Sequence, residues 1–201
     1  MDPVSSLHVK RVRSFARDSL ARVSFSSQQY RIIDVTNSIS KSRNTRIIEA
    51  LVIAILVFTT ATIGSRATIP NIAEWYEGLI KPSFNPPNWI FGPVWTLLYA
   101  LMTYAAWRVM GRIDTRRDTI LLAIVFIAQL LFNALWSIVF FGMHNPAYAL
   151  IVVVFLEASV IAMILVFARY DRVAALTQLP YAAWVAFASL LNLSIVLLNP
   201  N

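Results

Sequence analysis

The stretch KPSFNPPNWIFGPVW, Lys81 to Trp95, sets four prolines, two phenylalanines and two tryptophans into fifteen residues just ahead of a long apolar run. Proline fixes its own φ at about −65° and pushes the residue before it away from the helical region. Pro86-Pro87 therefore predicts an extended segment, with Trp89 opening a helix. Pro93 falls in the first turn or so of that helix, where a missing N–H costs little. With Pro82, these residues describe a semi-rigid lid across one mouth of a helix bundle. Trp75, Tyr76 and Phe84 hang from the lid, and Trp89, Phe91 and Trp95 line the helix entrance.

The run behind this stretch is one of five. The chain has 201 residues, 58% hydrophobic and 13% charged, whereas soluble domains are about half apolar and about a quarter charged. The excess is gathered into blocks at Ile47 to Ile63, Trp89 to Met110, Ile120 to Phe141, Ala147 to Ala168 and Leu179 to Leu198. Each is close to the roughly 20 residues that a hydrocarbon core demands. The first is the shortest; a signal peptide is the alternative reading, but the 46 residues ahead of it are too many for an ordinary n-region. The expectation is an all-α membrane protein: a five-transmembrane-helix bundle over residues 47–201, behind a basic Ser/Arg-rich extension at residues 1–46. Only Gly64 to Asn88 is long enough to be an extended loop between spans.

Charge placement agrees with five spans. Nine Lys or Arg lie between Lys10 and Arg46, four follow span two (Arg108, Arg112, Arg116, Arg117) and two follow span four (Arg169, Arg172). Arg66 and Lys81 stand on the other side. The tendency of Lys and Arg to stay cytoplasmic then puts the N-terminus inside. A bacterial envelope, a mitochondrial outer membrane and a secretory membrane all fit. The net charge of +7 is mostly topology signal and tail, and no basic face of a folded soluble module points to nucleic acid. Residues 1–46 read as a solvated, disordered tail, with a lipid-surface segment and an organellar targeting segment as alternatives.

Several chemistries are closed. With no cysteine, disulfides, thiolate metal sites and cysteine nucleophiles are excluded. His8 and His144 are the two histidines, one in the tail and one in a short turn, which leaves no zinc site or Ser-His-acid triad within the spans. Function in the spans must come from polar and aromatic side chains. Trp95 lies about two turns inside its span, deeper than an interfacial aromatic belt reaches, with Tyr99 one turn on. Gln129 and Asn133 share a face of span three, with Trp136 next on that side. Amides at this depth either glue helices together or meet a ligand. In span five, Trp184, Ala188 and Asn192 fall at i, i+4 steps, so a small residue beside a tryptophan leaves room for a flat ring to stack. Glu157 is an acid near the middle of span four.

Three ordered segments resemble the TspO/MBR family of tryptophan-rich sensory proteins and translocator proteins, the peripheral-type benzodiazepine receptors. They are WYEGLIKPSFNPPNWIFGPVWTLLYALMTYAAW (Trp75 to Trp107), QLLFNALWSIVFFG (Gln129 to Gly142) and LPYAAWVAFASLLN (Leu179 to Asn192). The resemblance implies a five-helix bundle with a ligand pocket beneath the first long loop. It implies that Tyr76, Trp95, Trp184 and Ala188 line that pocket and that Gln129 and Asn133 supply its polar pair. Phe91, Trp136 and Asn192 complete the candidate ligand-binding set, while Pro82, Phe84, Pro86 and Pro87 form the lid. The implied ligand is a porphyrin, such as protoporphyrin IX, or a related flat hydrophobic molecule, with no cofactor required.

Phe84 departs from the family's usual tryptophan, and Glu157 stands about a turn from where the family often has an acid, near Val152 or Val153. The C-terminal LLNLSIVLLNPN lacks the Tyr and basic residue of the animal cholesterol pattern, which favours porphyrin over sterol. The leading expectation is a membrane receptor or carrier acting in tetrapyrrole homeostasis or stress signalling. A second is light- and oxygen-dependent porphyrin breakdown, with a radical at Trp95 or Trp184. A third is an oligomeric membrane scaffold or regulator acting through protein partners or sterol binding, in contact with membrane lipid, including a homodimer through the small-residue spacings of Ala158 and Ala162 or Ala182 and Ala186.

Overall fold

The computed structural model describes residues 42–200. The expectations for the tail fall, up to residue 41, outside the described residues. Five helical segments are long and apolar enough to cross a membrane. Helix α1 is Arg43–Asn71, extended by a π-helical turn at Ile72–Tyr76. After the loop, a single 3₁₀ turn at Asn88–Ile90 leads into α2, Phe91–Met110. Helix α3 is Arg116–Ser137, also ending in a π turn, Ile138–Gly142. Helix α4 is Pro146–Tyr170, α5 is the short Arg172–Leu176, and α6 is Leu179–Leu198.

The sequence marks where several of these begin. Thr115 caps α3 by accepting a hydrogen bond from the Asp118 N–H while donating its own hydroxyl to the Asp118 carboxylate at 2.7 Å. Asn145 caps α4 through the Tyr148 N–H, with Pro146 at the first helical position. Asp171 caps α5 through the Val173 and Ala174 N–H groups. Pro87 is extended, with φ −56° and ψ 141°, its φ fixed by its own ring.

One boundary differs from expectation. The first span is not the shortest: α1 runs for 29 residues and starts at Arg43, inside the stretch assigned to the tail. It continues through Gly64 and Pro70, so the loop expected to begin at Gly64 begins after the π turn. Apolar character ends near Ile63, but helical character does not, because SRATI contains no glycine or proline and Pro70 comes one residue before the end of α1, where its missing N–H and its ring disturb only the Arg66 carbonyl. Trp75 and Tyr76 therefore stand on a helix end.

The packed core lies among α2, α3, α4 and α6. Helix α4 buries Ala149, Val153, Leu156, Val160, Met163 and Phe167, alternating steps of four and three that keep one stripe against its neighbours. Its other faces carry exposed Ile151, Val154, Phe155, Ile161 and Leu165, as a helix bathed in lipid should. Ala158, Ala162 and Ala186 are also exposed and Ala182 is half-buried. Helix α1 buries less: Ile53, Val57, Thr60 and Gly64 form one narrow stripe.

Polar ties close the end of the bundle away from the long loop. The Arg46 guanidinium donates to the Trp107 carbonyl at 2.9 Å, and the Trp107 indole N–H returns a bond to the Arg46 carbonyl at 3.1 Å. Asp171 is buried and receives Arg108 at 2.6 Å and Arg112 at 3.2 Å. Gln178 reaches from the α5–α6 junction to the Leu101 carbonyl.

Candidate functional site

At the loop end the helices part around a cavity of about 430 Å³. Aromatic side chains dominate its wall: Tyr76 from the α1 π turn, Phe91, Trp95 and Tyr99 from α2, and Trp136, Phe140 and Phe141 from the end of α3. Ala188, Leu191, Asn192 and Ile195 of α6 complete one side. Trp95 leans on Tyr99 at 5.5 Å between ring centroids and meets Tyr181 edge-on at 6.2 Å. Trp136 stacks on Phe140 at 5.3 Å. These ring–ring contacts fix the aromatic side chains of the lining against one another, a wall suited to an apolar aromatic molecule.

The loop is fastened above this cavity by specific bonds. The Tyr76 hydroxyl donates to the Asn85 carboxamide oxygen at 2.9 Å, and the Lys81 ammonium sits 4.9 Å over the Tyr76 ring while donating to the Glu77 and Leu79 carbonyls. The Asn199 carboxamide pairs with both backbone groups of Ile80, each at 2.9 Å, joining the loop to the end of α6. Phe84 is half exposed and leans against Phe187 at 6.3 Å. The turn after α3 adds His144, in the left-handed region at φ 53°, whose ring stacks on Trp75 at 4.6 Å. Asn71 donates to the Ala67 carbonyl, so its carboxamide oxygen faces His144 Nε2 at 2.7 Å, and that nitrogen carries the proton.

Of the residues singled out in the sequence, Tyr76, Phe91, Trp95, Trp136, Ala188 and Asn192 line the cavity together. Asn192 does so with its amide engaged, accepting from the Trp136 indole at 3.1 Å and donating to the Pro146 carbonyl at 2.7 Å. Gln129, Asn133 and Trp184 lie outside the lining. Gln129 and Asn133 are buried in a chain that starts at the cavity wall. The Tyr99 hydroxyl donates to Asn133, Asn133 donates to the Tyr181 oxygen, and the Tyr181 hydroxyl donates to the Gln129 carbonyl, all between 2.9 and 3.0 Å. These bonds join α2, α3 and α6 below the cavity. Gln129 Nε2 and Glu157 Oε2 are buried without a hydrogen-bond partner among the described residues. Trp184 backs the wall, packing on Phe91 at 5.7 Å and Phe187 at 5.6 Å.

The structure also brings in residues that the sequence reading passed over. Ala61, Gly64, Ser65, Thr68 and Ile69 of α1 and Ile72 of its π turn line the cavity, as do Phe140 and Phe141. No distinct signal marked the α1 set in the sequence, because small and hydroxyl-bearing residues occur on every face of the helix between Thr59 and Thr68. Among the described residues no group of acidic, histidine or cysteine side chains is placed to hold a metal ion.

Comparison with known proteins identifies the family. The profile of the TspO/MBR family matches residues 51–198. The tryptophan-rich protein TspO of Archaeoglobus fulgidus is 42% identical over 153 residues, 75% of this chain and 95% of that protein. That of Chlorobaculum tepidum is 42% identical over 132 residues, covering 65% of this chain and 84% of the relative. The human translocator protein is 34% identical over 133 residues, 65% of this chain and 78% of its own length. With five membrane-spanning helices and a family match over most of its length, the chain is a multi-pass integral membrane protein that belongs to the TspO/MBR family.

Proposed function

We propose that this protein is a membrane receptor or carrier for porphyrins and related flat hydrophobic molecules, acting in tetrapyrrole homeostasis or stress signalling. Family membership supports a receptor or sensory role in a membrane; relatives carry the names translocator protein and tryptophan-rich sensory protein. The observation that carries the finer reading is the cavity wall: Trp95, Tyr99, Trp136 and Phe140 line a space of about 430 Å³ together with the small Ala188. Stacking on such rings holds a macrocycle without a metal ligand. The amide of Asn88 and the hydroxyls of Ser65, Thr68 and Ser137, all among the lining residues, are candidate donors to a propionate, whereas the Tyr99 hydroxyl is already committed to Asn133. In the charge-rule orientation the loop end faces away from the cytoplasm. The photochemical alternative requires an oxidisable ring against the porphyrin, and of Trp95 and Trp184 only Trp95 lines the cavity.

The test is a titration of the purified protein with protoporphyrin IX, followed by tryptophan fluorescence. Saturable quenching is expected for the wild type. Trp95→Phe should weaken it roughly two- to tenfold, the range of a lost aromatic contact. Trp184→Phe should have the smaller effect, because Trp184 touches the lining residue Phe91 and not the void. Linear quenching in all three proteins would mean partition into detergent and would end the porphyrin reading.

A further inference from the structure

The cavity is walled unevenly on the two flanks of α1. Toward α3 it is shut. A Cβ on Gly64 would stand 3.3 Å from the Ser137 hydroxyl, one on Gly142 would stand 3.8 Å from Ala67, and Asn71 is bonded to His144. Toward α2 it is open. Ser65 and Ile69 of α1 and Gly92 and Thr96 of α2 each line the cavity and are exposed, so this flank is accessible where the other is packed. Ala61, Ser65 and Ile69 also belong to a second, shallow surface on the outer face of α1, shared with Phe58, Thr62, Arg66 and Pro70. That surface and the cavity therefore meet at the same three α1 residues.

Depth places the opening within reach of the bilayer. Trp89 is 73% exposed at the start of span two, where an interfacial belt residue belongs. Gly92 and Thr96 follow about one and two turns farther in. On α1 the exposed Arg66 must hold its charge at the headgroup level, and Ser65 lies beside it. Three of the four framing residues, Ser65, Gly92 and Thr96, are small, with Ile69 the larger fourth, and the exposed Trp89 also lines the cavity beside them. A Cβ built on Gly92 meets no heavy atom within 4 Å, so the gap beside it is real space.

We propose that the cavity is filled laterally, through a window between the loop-end halves of α1 and α2 framed by Ser65, Ile69, Gly92 and Thr96, by flat apolar molecules already dissolved in the bilayer. The fastened loop then acts as a roof, and the ligand class is set by partition into lipid before any contact with the aromatic wall. This rests on reading the cavity as a ligand site, but the window can be tested without any ligand.

The native chain has no cysteine, so Ala188→Cys places a single thiol on the cavity wall of the full-length protein in vesicles. Its modification is timed with a membrane-partitioning maleimide and with a charged, membrane-impermeant one. The expected result is fast reaction with the partitioning reagent, slowed about tenfold by Gly92→Leu, which introduces a side chain into a space with no room for both. Ser65→Phe obstructs the opposite jamb and should act the same way, should Gly92→Leu fail to fold. Equal rates with both reagents, a partitioning reagent that does not react, or rates indifferent to both obstructions overturn the window. A working window with linear porphyrin quenching would instead leave the window standing and remove the porphyrin reading.

Discussion

Helices α1 and α4 have similar lengths and both are apolar enough to cross a membrane, yet the bundle treats them differently. Helix α4 buries a stripe from Ala149 to Phe167 along its whole length, and lies against both α3 and α6. Helix α1 buries only Ile53, Val57, Thr60 and Gly64, and its loop-end half faces the cavity. In lipid, helices gain little from hiding apolar surface, so association depends on close packing and polar ties. One helix obtains the first along its length; the other obtains it over two or three turns and relies on Arg46 and Asn71 at its ends. The contrast separates a scaffold from a wall that leaves room for a guest.

The largest effects should break this contrast directly. Met163 is fully buried in the α4 stripe, and Met163→Ala should cost on the order of 2 kcal/mol. That is the low end for such a truncation, because lipid supplies no aqueous transfer term and lost dispersion contacts are what remain. The thermal midpoint in detergent should fall while porphyrin affinity holds. Ala188→Leu is the mirror experiment: it fills space in the cavity, so binding should drop by tenfold or more while the midpoint stays or rises. A midpoint that falls equally in both variants would mean that the cavity region is as tightly packed as the core.

Between the two regions runs the Tyr99–Asn133–Tyr181–Gln129 chain. Tyr181→Phe removes the acceptor for the Asn133 amide and the donor for the Gln129 carbonyl, leaving both buried. The expected loss is about 1–2 kcal/mol, somewhat below the packing change. Since Tyr99 is both the first link and part of the cavity wall, Tyr181→Phe should also weaken porphyrin quenching slightly. Unchanged stability would show that water enters the chain to replace the hydroxyl.

Much of the five-helix plan could be read from the sequence, because hydropathy blocks, basic turns and the prolines each report on a physical constraint acting locally. The double proline marked the start of α2, and Trp95 and Ala188 marked one cavity. Which face of α4 packs could not be read: Val153 and Val154 are equally apolar, one is buried and the other faces lipid. The end of α1 was misplaced because hydropathy reports the membrane boundary and not the helix boundary. Trp184 lies one helical turn from Ala188, yet it rests behind Phe91, a matter of tertiary packing that spacing alone does not resolve. Gln129 and Asn133 were legible as inward-facing amides, but their partners Tyr99 and Tyr181 come from other helices. Asp171 gave even less warning, since an acid in a short basic turn resembles any solvated residue.

Asp171 offers the finest test, at the end of the bundle away from the cavity. Burial pushes its carboxyl up, but the hydrogen bonds from Arg108 and the Ala174 N–H and the charges of Arg108 and Arg112 outweigh burial and hold it below the ordinary carboxylate value. A depressed value in the fold means that the ionised form binds its surroundings better folded than unfolded. That contribution is complete above the unfolded value of about 4 and is lost as pH falls through the folded one. The wild-type thermal midpoint should therefore be flat near neutrality and fall by a few degrees at acid pH, since Arg112 is half exposed and solvent screens its share. Asp171→Asn keeps a side chain able to cap α5 but removes the charge, so its midpoint should be lower near neutrality and less sensitive to acid. Because the change sits at the tightly tied end, porphyrin affinity should follow the wild type in both pH ranges. If affinity fell with the midpoint, the two ends of the bundle would be coupled through α2, which carries Arg108 at one end and Trp95 at the other.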